Sequence, residues 1–252
     1  MNQPNPAPSH APTAEPALDI REKGGAKDGV AQYSDRRLFM QLTAFSGCRD
    51  ARKLVDSLAG AGVDCVLYEE LGDPTGVAVL AMSEDPGLLL SKLRRELSSG
   101  PFAELTVKPE FAMLGRTYAL GYEPRLEDWL LHRPRRVVSD PAWPWAVWYP
   151  LRRKGEFARL PRPEQMSMLK EHGNIGRRFG DAGLALDIRL ACHGLDKNDN
   201  DFVIGLIGKD LAPLSILVET MRPTAQTSEY LSNLGPFFVG RAVWNSPRKE
   251  AA

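Results

Sequence analysis

The sequence predicts an α+β protein of two tandem ferredoxin-like units, and three observations carry the prediction. Strand-like and helix-like periodicities alternate in the order βαββαβ, the same order returns in the second half, and Gly, Pro or Asp stands where the chain must reverse. In the first half, residues 37–45 (RLFMQLTAF) read as a strand. Residues 50–61 repeat Leu54, Val55 and Leu58 at helical spacing and end between Gly60 and Gly62. Residues 63–70 and 76–83 are two strands around a GDPTG turn, residues 85–99 a helix opened by Asp-Pro and closed by Gly100, and residues 103–113 a fourth strand. In the second half the elements are a strand at 145–153 and a helix at 161–179. A strand pair at 184–192 and 202–207 follows across a polar turn, then a helical stretch 211–235 interrupted at Pro223, and a strand at 237–244. Each unit would cover one sheet face with helices. The two bare faces then need each other, a partner or a ligand, and the expectation is a dimeric α+β barrel-type subunit enclosing a sheet-lined cavity.

Ahead of these units, residues 1–32 hold no aromatic residue and five prolines in the first sixteen positions, so a disordered tail is expected there. The units themselves are expected at 33–130 and 131–247. With 43% hydrophobic residues the 252-residue chain can form a real core. No apolar run is long enough to span a membrane and no secretory signal opens the chain, which gives the expectation of a cytoplasmic protein. Cys48, Cys65 and Cys192 are odd in number and far apart, the pattern of plain thiols rather than of a disulfide or zinc framework.

Charge is balanced at 32 basic against 32 acidic residues, which argues against a protein that coats nucleic acid. The balance is not local. From Leu131 to Arg162 there are eight basic residues (Arg133, Arg135, Arg136, Arg152, Arg153, Lys154, Arg159, Arg162) against Asp140 and Glu156. Such a run is usually a solvated surface, but it also suits an anion site, and Trp143, Trp145 and Trp148 interleave with it as stacking surfaces. His172 carries the sharper signal. Met168, Leu169, Ile175 and Phe179 lie on its helical face, so its imidazole points inward. A satisfied core histidine is the commoner outcome of that pattern. Gly173 and Gly176 shift the balance, because each costs roughly 1 kcal/mol in a helix while letting a flat group approach. An inward imidazole with glycine neighbours is what a haem iron needs as axial ligand. Strand alternation puts Trp145, Val147, Tyr149, Leu151 and Arg153 on one face, where Tyr149 could be core filler or a redox group.

These residues resemble a family. W-Y-P-L-R-R around Tyr149, M-L-K-E-H-G-x-I-G-R through Arg177, H-G-L-D at His193 and G-P-F-F-V-G-R from Gly235 are similar to the chlorite dismutase-like haem proteins, and within them to the coproheme decarboxylases. The resemblance runs from about Tyr33 to Trp244. It implies a homopentamer that binds porphyrin in the second unit only, with iron coproporphyrin III as substrate, haem b as product, hydrogen peroxide as oxidant and coproporphyrin ferrochelatase as a transient partner. Residue by residue, it implies His172 as the proximal iron ligand and Tyr149 as the tyrosine that becomes a radical. Their spacing of 23 fits the actinobacterial branch, in which a distal histidine lies 17 residues before the tyrosine, here His132. Arg135, with Pro141, matches an arginine that holds a propionate, and Arg153 a basic residue near another. Arg152, Lys154, Trp145 and Gly176 complete the expected porphyrin cradle. On the strand at 184–192 relatives carry a distal Gln or, in true chlorite dismutases, Arg; here Asp187 and Arg189 share the relevant face and no glutamine is present.

The implied chemistry is coherent. Histidine is the side chain whose unperturbed pKa suits a base for peroxide, and His132 is the candidate; a Tyr149 radical can remove hydrogen from a propionate that then loses CO2. The competing readings are chlorite dismutation or general haem peroxidase activity through Arg189, and a haem-binding protein without turnover that needs His172 alone. A nucleic-acid module is the weakest, since no RNP, KH or helix-turn-helix pattern accompanies the basic run. His193, at a strand end, reads as a capping or surface residue.

Overall fold

The computed structural model describes residues 17–247, so the first half of the expected tail, with His10, lies outside the described residues. The second half of that tail is ordered, contrary to expectation. Strands β1 (Glu22–Lys27) and β2 (Val30–Ser34) pair antiparallel across Asp28 (φ 52°) and Gly29 (φ 80°), the Asp-Gly signature of a two-residue hairpin turn. Polar contacts order it where apolar bulk is lacking. The Glu22 carboxylate accepts from Arg37 (2.9 Å), Arg116 (3.1 Å) and the backbone N–H of Ala119 (3.0 Å). The Gln32 amide donates to Gly25 and Glu123 carbonyls, and its oxygen accepts from Leu126 N–H. The hairpin is thereby tied to the segment linking the two units.

Each unit has the expected strand order. In the first, β3 (Phe39–Ser46), β4 (Asp64–Glu70), β5 (Val77–Ser83) and β6 (Thr106–Thr117) lie side by side as β4-β5-β3-β6. In the second, β7 (Trp145–Arg153), β8 (Leu186–Ala191), β9 (Phe202–Gly208) and β11 (Phe238–Asn245) lie as β8-β9-β7-β11, with the short β10 (Leu231–Leu234) extending β7 beyond β11. The units join where β11 pairs with β4 and β6 with β8, and the eight strands close into one antiparallel barrel with no free edge between them.

The barrel interior is occupied by side chains. It is filled by Leu38, Met40, Leu42, Tyr68, Leu80, Met113, Trp148, Leu190 and Phe238, all buried, so the expected sheet-lined cavity is replaced by core. Packing is tight enough to need glycine: a Cβ on Gly205 would lie 2.5 Å from the Trp148 ring. The cause is the size of the alternating inward side chains, which fill a barrel of eight strands.

The outer faces carry the helices. Helix α1 (Ala51–Ala61), capped by Asp50 and ended by Gly62 in the left-handed region, lays Leu54 and Leu58 on the first sheet. A π-helical turn (Leu89–Leu93) runs into α2 (Arg94–Leu97) beside it. The linker forms a second π-helical turn (Asp128–His132) that continues as α3 (Arg133–Val138). On the second sheet lie α4 (Gly155–Arg159), α5 (Arg162–Asp181) and α6 (Leu211–Met221). The helical stretch expected through residue 235 ends earlier. After Pro223 comes only α7 (Ala225–Tyr230), and the next four residues become β10, because the open end of β7 offers backbone partners to Leu231 and Leu234. No described helix is long and apolar enough to cross a membrane.

Candidate functional site

The outer face of the second sheet and the underside of α5 enclose the chemistry-bearing residues. Alternation along β7 turns Val147, Tyr149 and Leu151 outward, away from Trp148. Register aligns Tyr149 with Ile204 on β9 and Ile204 with Arg189 on β8, so tyrosine and arginine stand in one row across three strands. Helix α5 packs over β8 and brings His172 above this wall.

Helix α5 is unlike its neighbours. Helices α1 and α6 each bury leucines completely, whereas α5, with twenty residues, buries none. Met168, Leu169, His172, Ile175 and Phe179 form the expected inward stripe, but each is only half-buried. A Cβ on Gly173 would meet nothing within 4 Å, and one on Gly176 only the Met221 methyl at 3.6 Å. Within this loosely filled layer two polar atoms are sequestered without a hydrogen-bond partner, His172 Nδ1 and Arg153 Nε. Buried polar atoms are paired in the great majority of cases, and these two orphans, unlike those of Tyr68 and Trp148 in the packed barrel interior, face each other across a layer that side chains leave half filled, which is room for a third party. Among the described residues no cluster of three His, Cys, Asp or Glu side chains could hold a metal ion. A single imidazole suits an iron that brings its other ligands with it, as a porphyrin does.

Electrostatics point the same way. Burial, reinforced by the charges of Arg153 and Arg189, lowers the His172 pKa to about 4, so the ring is neutral and free to ligate at physiological pH. The Arg153 guanidinium lies over both Phe157 and Phe202, 4.7 Å from each ring, and burial pulls its pKa down. Among the described residues no carboxylate lies within ion-pair distance of it. Burial likewise pushes the Tyr149 phenol above its ordinary range, and the ring stacks on Phe237 at 4.6 Å. Arg222, whose charge also acts on Tyr149, lines a groove of about 300 Å³ with Thr227, Ser228 and Leu231.

Other expected site residues are not brought to this cluster. Arg135 turns to the first unit, donating from Nε to Asp64 Oδ2 (2.9 Å) and from a terminal nitrogen to the Leu131 carbonyl (2.9 Å). Arg152, one residue from Arg153 and so on the opposite side of the strand, bonds the carbonyl of Asp199 (2.6 Å) and its carboxylate. Lys154 is spent on the Glu229 carbonyl (2.6 Å). Trp145 is on the right face but stacks under Arg241, 6.0 Å away. His132 is exposed at the end of its π-helical turn, where its charge acts on Asp128; the next residue, Arg133, is the one that enters the cluster. His193 is a surface residue, its Nδ1 3.2 Å from Asp201 and its ring edge-on to Phe202. Cys65 and Cys192 are buried free thiols held near pKa 12 by desolvation, and Cys48 is half-buried.

Arg189, expected on this face of the strand, and Arg133, from the basic run, are joined here by Trp129 and Tyr118, for which spacing within one helix or strand gave no signal. Arg189 Nε is 2.9 Å from Asp187 Oδ2, Arg133 donates to the Asp187 carbonyl at 2.8 Å, and both guanidiniums lie over the Trp129 ring at 5.2 and 4.8 Å. Tyr118, at the end of β6, packs on Phe202. These contacts join the linker to β8, a pairing that only the closed barrel creates.

Comparison with known proteins shows the family to which the chain belongs. The family model described as chlorite dismutase matches residues 48–243. Two curated coproheme decarboxylases, from two strains of Thermus thermophilus, are 30% identical over 113 residues. The match spans 43% of this chain and 43% of each relative, so the chain is aligned with less than half the length of those proteins. Among solved structures, a haem-binding protein from Thermus thermophilus superposes with a TM-score of 0.64 at 20% identity, covering 82% of this chain and 91% of that one. A chlorite dismutase from Candidatus Nitrospira defluvii does so with a TM-score of 0.63 at 14% identity, covering 81% and 90%. At those identities the likeness is one of fold.

Proposed function

The chain belongs to the chlorite dismutase family, and from that premise we propose that it is a coproheme decarboxylase, converting iron coproporphyrin III to haem b with hydrogen peroxide. The observation that carries the reading is the pair of buried, unpartnered nitrogens on His172 and Arg153 facing a layer that side chains leave half filled. His172, kept neutral by burial, is the ligand for the iron. Arg153 supplies a desolvated cation for a propionate, and Arg222 a second cation on the Tyr149 side. When bound, the iron porphyrin supplies the oxidising equivalents of peroxide and is at once substrate and oxidant-forming group.

Tyr149 is the redox residue of this reading. Burial keeps its phenol protonated, so it carries a hydrogen atom to give and, as a radical, takes one from a propionate side chain. Loss of CO2 from the propionate leaves a vinyl group. For each propionate, one peroxide and one proton become two waters, and the two electrons released by the side chain balance the two that peroxide accepts. His132 lies outside the cluster, exposed one residue before Arg133, which enters it, and its proposed part is the relay of the peroxide proton to solvent.

The test is to mix the protein with ferric coproporphyrin III and peroxide and follow porphyrin mass. Loss of two CO2 is expected, with Tyr149→Phe binding the porphyrin but releasing none, and His132→Ala shifting the pH profile of the rate. Full decarboxylation by Tyr149→Phe would overturn the mechanism. Chlorite dismutation stands as a second reading because Arg189 lines the sheet wall in the row of Tyr149. Oxygen release from chlorite, lost in Arg189→Ala, would favour it.

A further inference from the structure

Arg189 is a long cation on the wall opposite α5, and it is not free to move. Residues 187 and 189 share one face of β8, so the Asp187 carboxylate reaches Arg189 Nε at 2.9 Å. Arg133 holds the same aspartate from the linker, through its carbonyl (2.8 Å) and its Oδ1 (3.4 Å), which stops the carboxylate from rotating away. Both guanidiniums lie over one face-forming residue, Trp129. Arg189 is thus held by a charge-assisted bond and an aromatic stack, and both devices are stronger when desolvated.

We propose that Asp187 is a positioning and specificity residue: it clamps Arg189 against Trp129 and offsets its charge, so that the small-molecule side of the porphyrin site favours neutral peroxide over small anions. The inference rests on the porphyrin-binding reading above. It adds a reason for an arginine on that wall in a protein whose oxidant is uncharged. Freed from Asp187, Arg189 would present an uncompensated cation able to attract an anionic ligand.

Two measurements on the full chain test it, one of them without porphyrin. In the porphyrin-free protein, modification of Arg189 by phenylglyoxal, mapped by peptide mass, should be slow and should rise on the order of tenfold in Asp187→Asn. Asp187→Glu, which keeps the charge, should restore protection. In the protein loaded with ferric porphyrin, azide titrated against the visible spectrum should bind on the order of tenfold more tightly to Asp187→Asn, with imidazole affinity unchanged. Adding Arg189→Gln should cancel the azide gain. Unchanged Arg189 reactivity, or unchanged azide affinity in a protein that holds porphyrin through His172, overturns the clamp. Failure to bind porphyrin at all would sink the proposed function, while the modification rate would still decide whether Asp187 restrains Arg189.

Discussion

Replacing Arg153 with methionine should weaken porphyrin binding far more than it weakens the free protein. The side chain is a buried guanidinium with an orphaned Nε and no carboxylate within reach among the described residues. Leaving such a donor unmade costs about 1–3 kcal/mol. Its two aromatic neighbours, Phe157 and Phe202, return about 0.5–1 kcal/mol each. Methionine has similar reach and no unmet donor, so its net effect on the free chain should lie between about 1 kcal/mol of destabilisation and about 2 kcal/mol of stabilisation. A desolvated bond from Arg153 to a carboxylate is worth about 1.5–3 kcal/mol, which corresponds to roughly 10- to 150-fold in affinity. Urea denaturation gives the first quantity and absorbance titration with ferric coproporphyrin III the second. A binding loss larger than any loss of stability is the outcome to look for. A variant that loses more than about 1 kcal/mol of stability and binds porphyrin unchanged would show that Arg153 is a packing residue, and the reasoning would fail.

In the porphyrin-free protein the His172 ring should titrate near pH 4 by NMR. Because the unfolded ring binds a proton near 6.5 and the folded one only near 4, this group's stabilising contribution is complete above about pH 6.5. It falls by about 1.4 kcal/mol per pH unit between those values as pH drops. His172→Asn should flatten that slope in urea denaturation, and an ordinary titration near 6.5 would contradict the burial argument. Gly205→Ala should cost about 1–3 kcal/mol in the same assay, since its Cβ would sit 2.5 Å from a Trp148 ring that the barrel gives no room to move; a loss below about 0.5 kcal/mol would mean the core is looser than its geometry.

Period and spacing alone located most of what lies within one element. The two βαββαβ units follow from alternation and helical spacing, the outward turn of Tyr149 and Arg153 from the two-residue period of β7, and the inward turn of His172 from its apolar neighbours at helical spacing. The β1–β2 hairpin was not expected because apolar content there is low, and the contacts that tie Glu22 and Gln32 to the linker come from residues about ninety positions away. The same limit explains the site. The resemblance implied Arg135 as a propionate ligand, yet Asp64, distant in sequence and brought close by the barrel, claims it.

The sequence by itself therefore determined the elements, their faces and an inward histidine beside glycines, because those depend on neighbours three or four residues away. Only the tertiary structure decided that the barrel interior is solid, that the usable space lies between α5 and the outer sheet face, and that Arg153 is left unpaired while Arg189 is clamped. Those outcomes depend on which residues meet across closed strand pairings, and charge partners in a folded chain are chosen by distance in space.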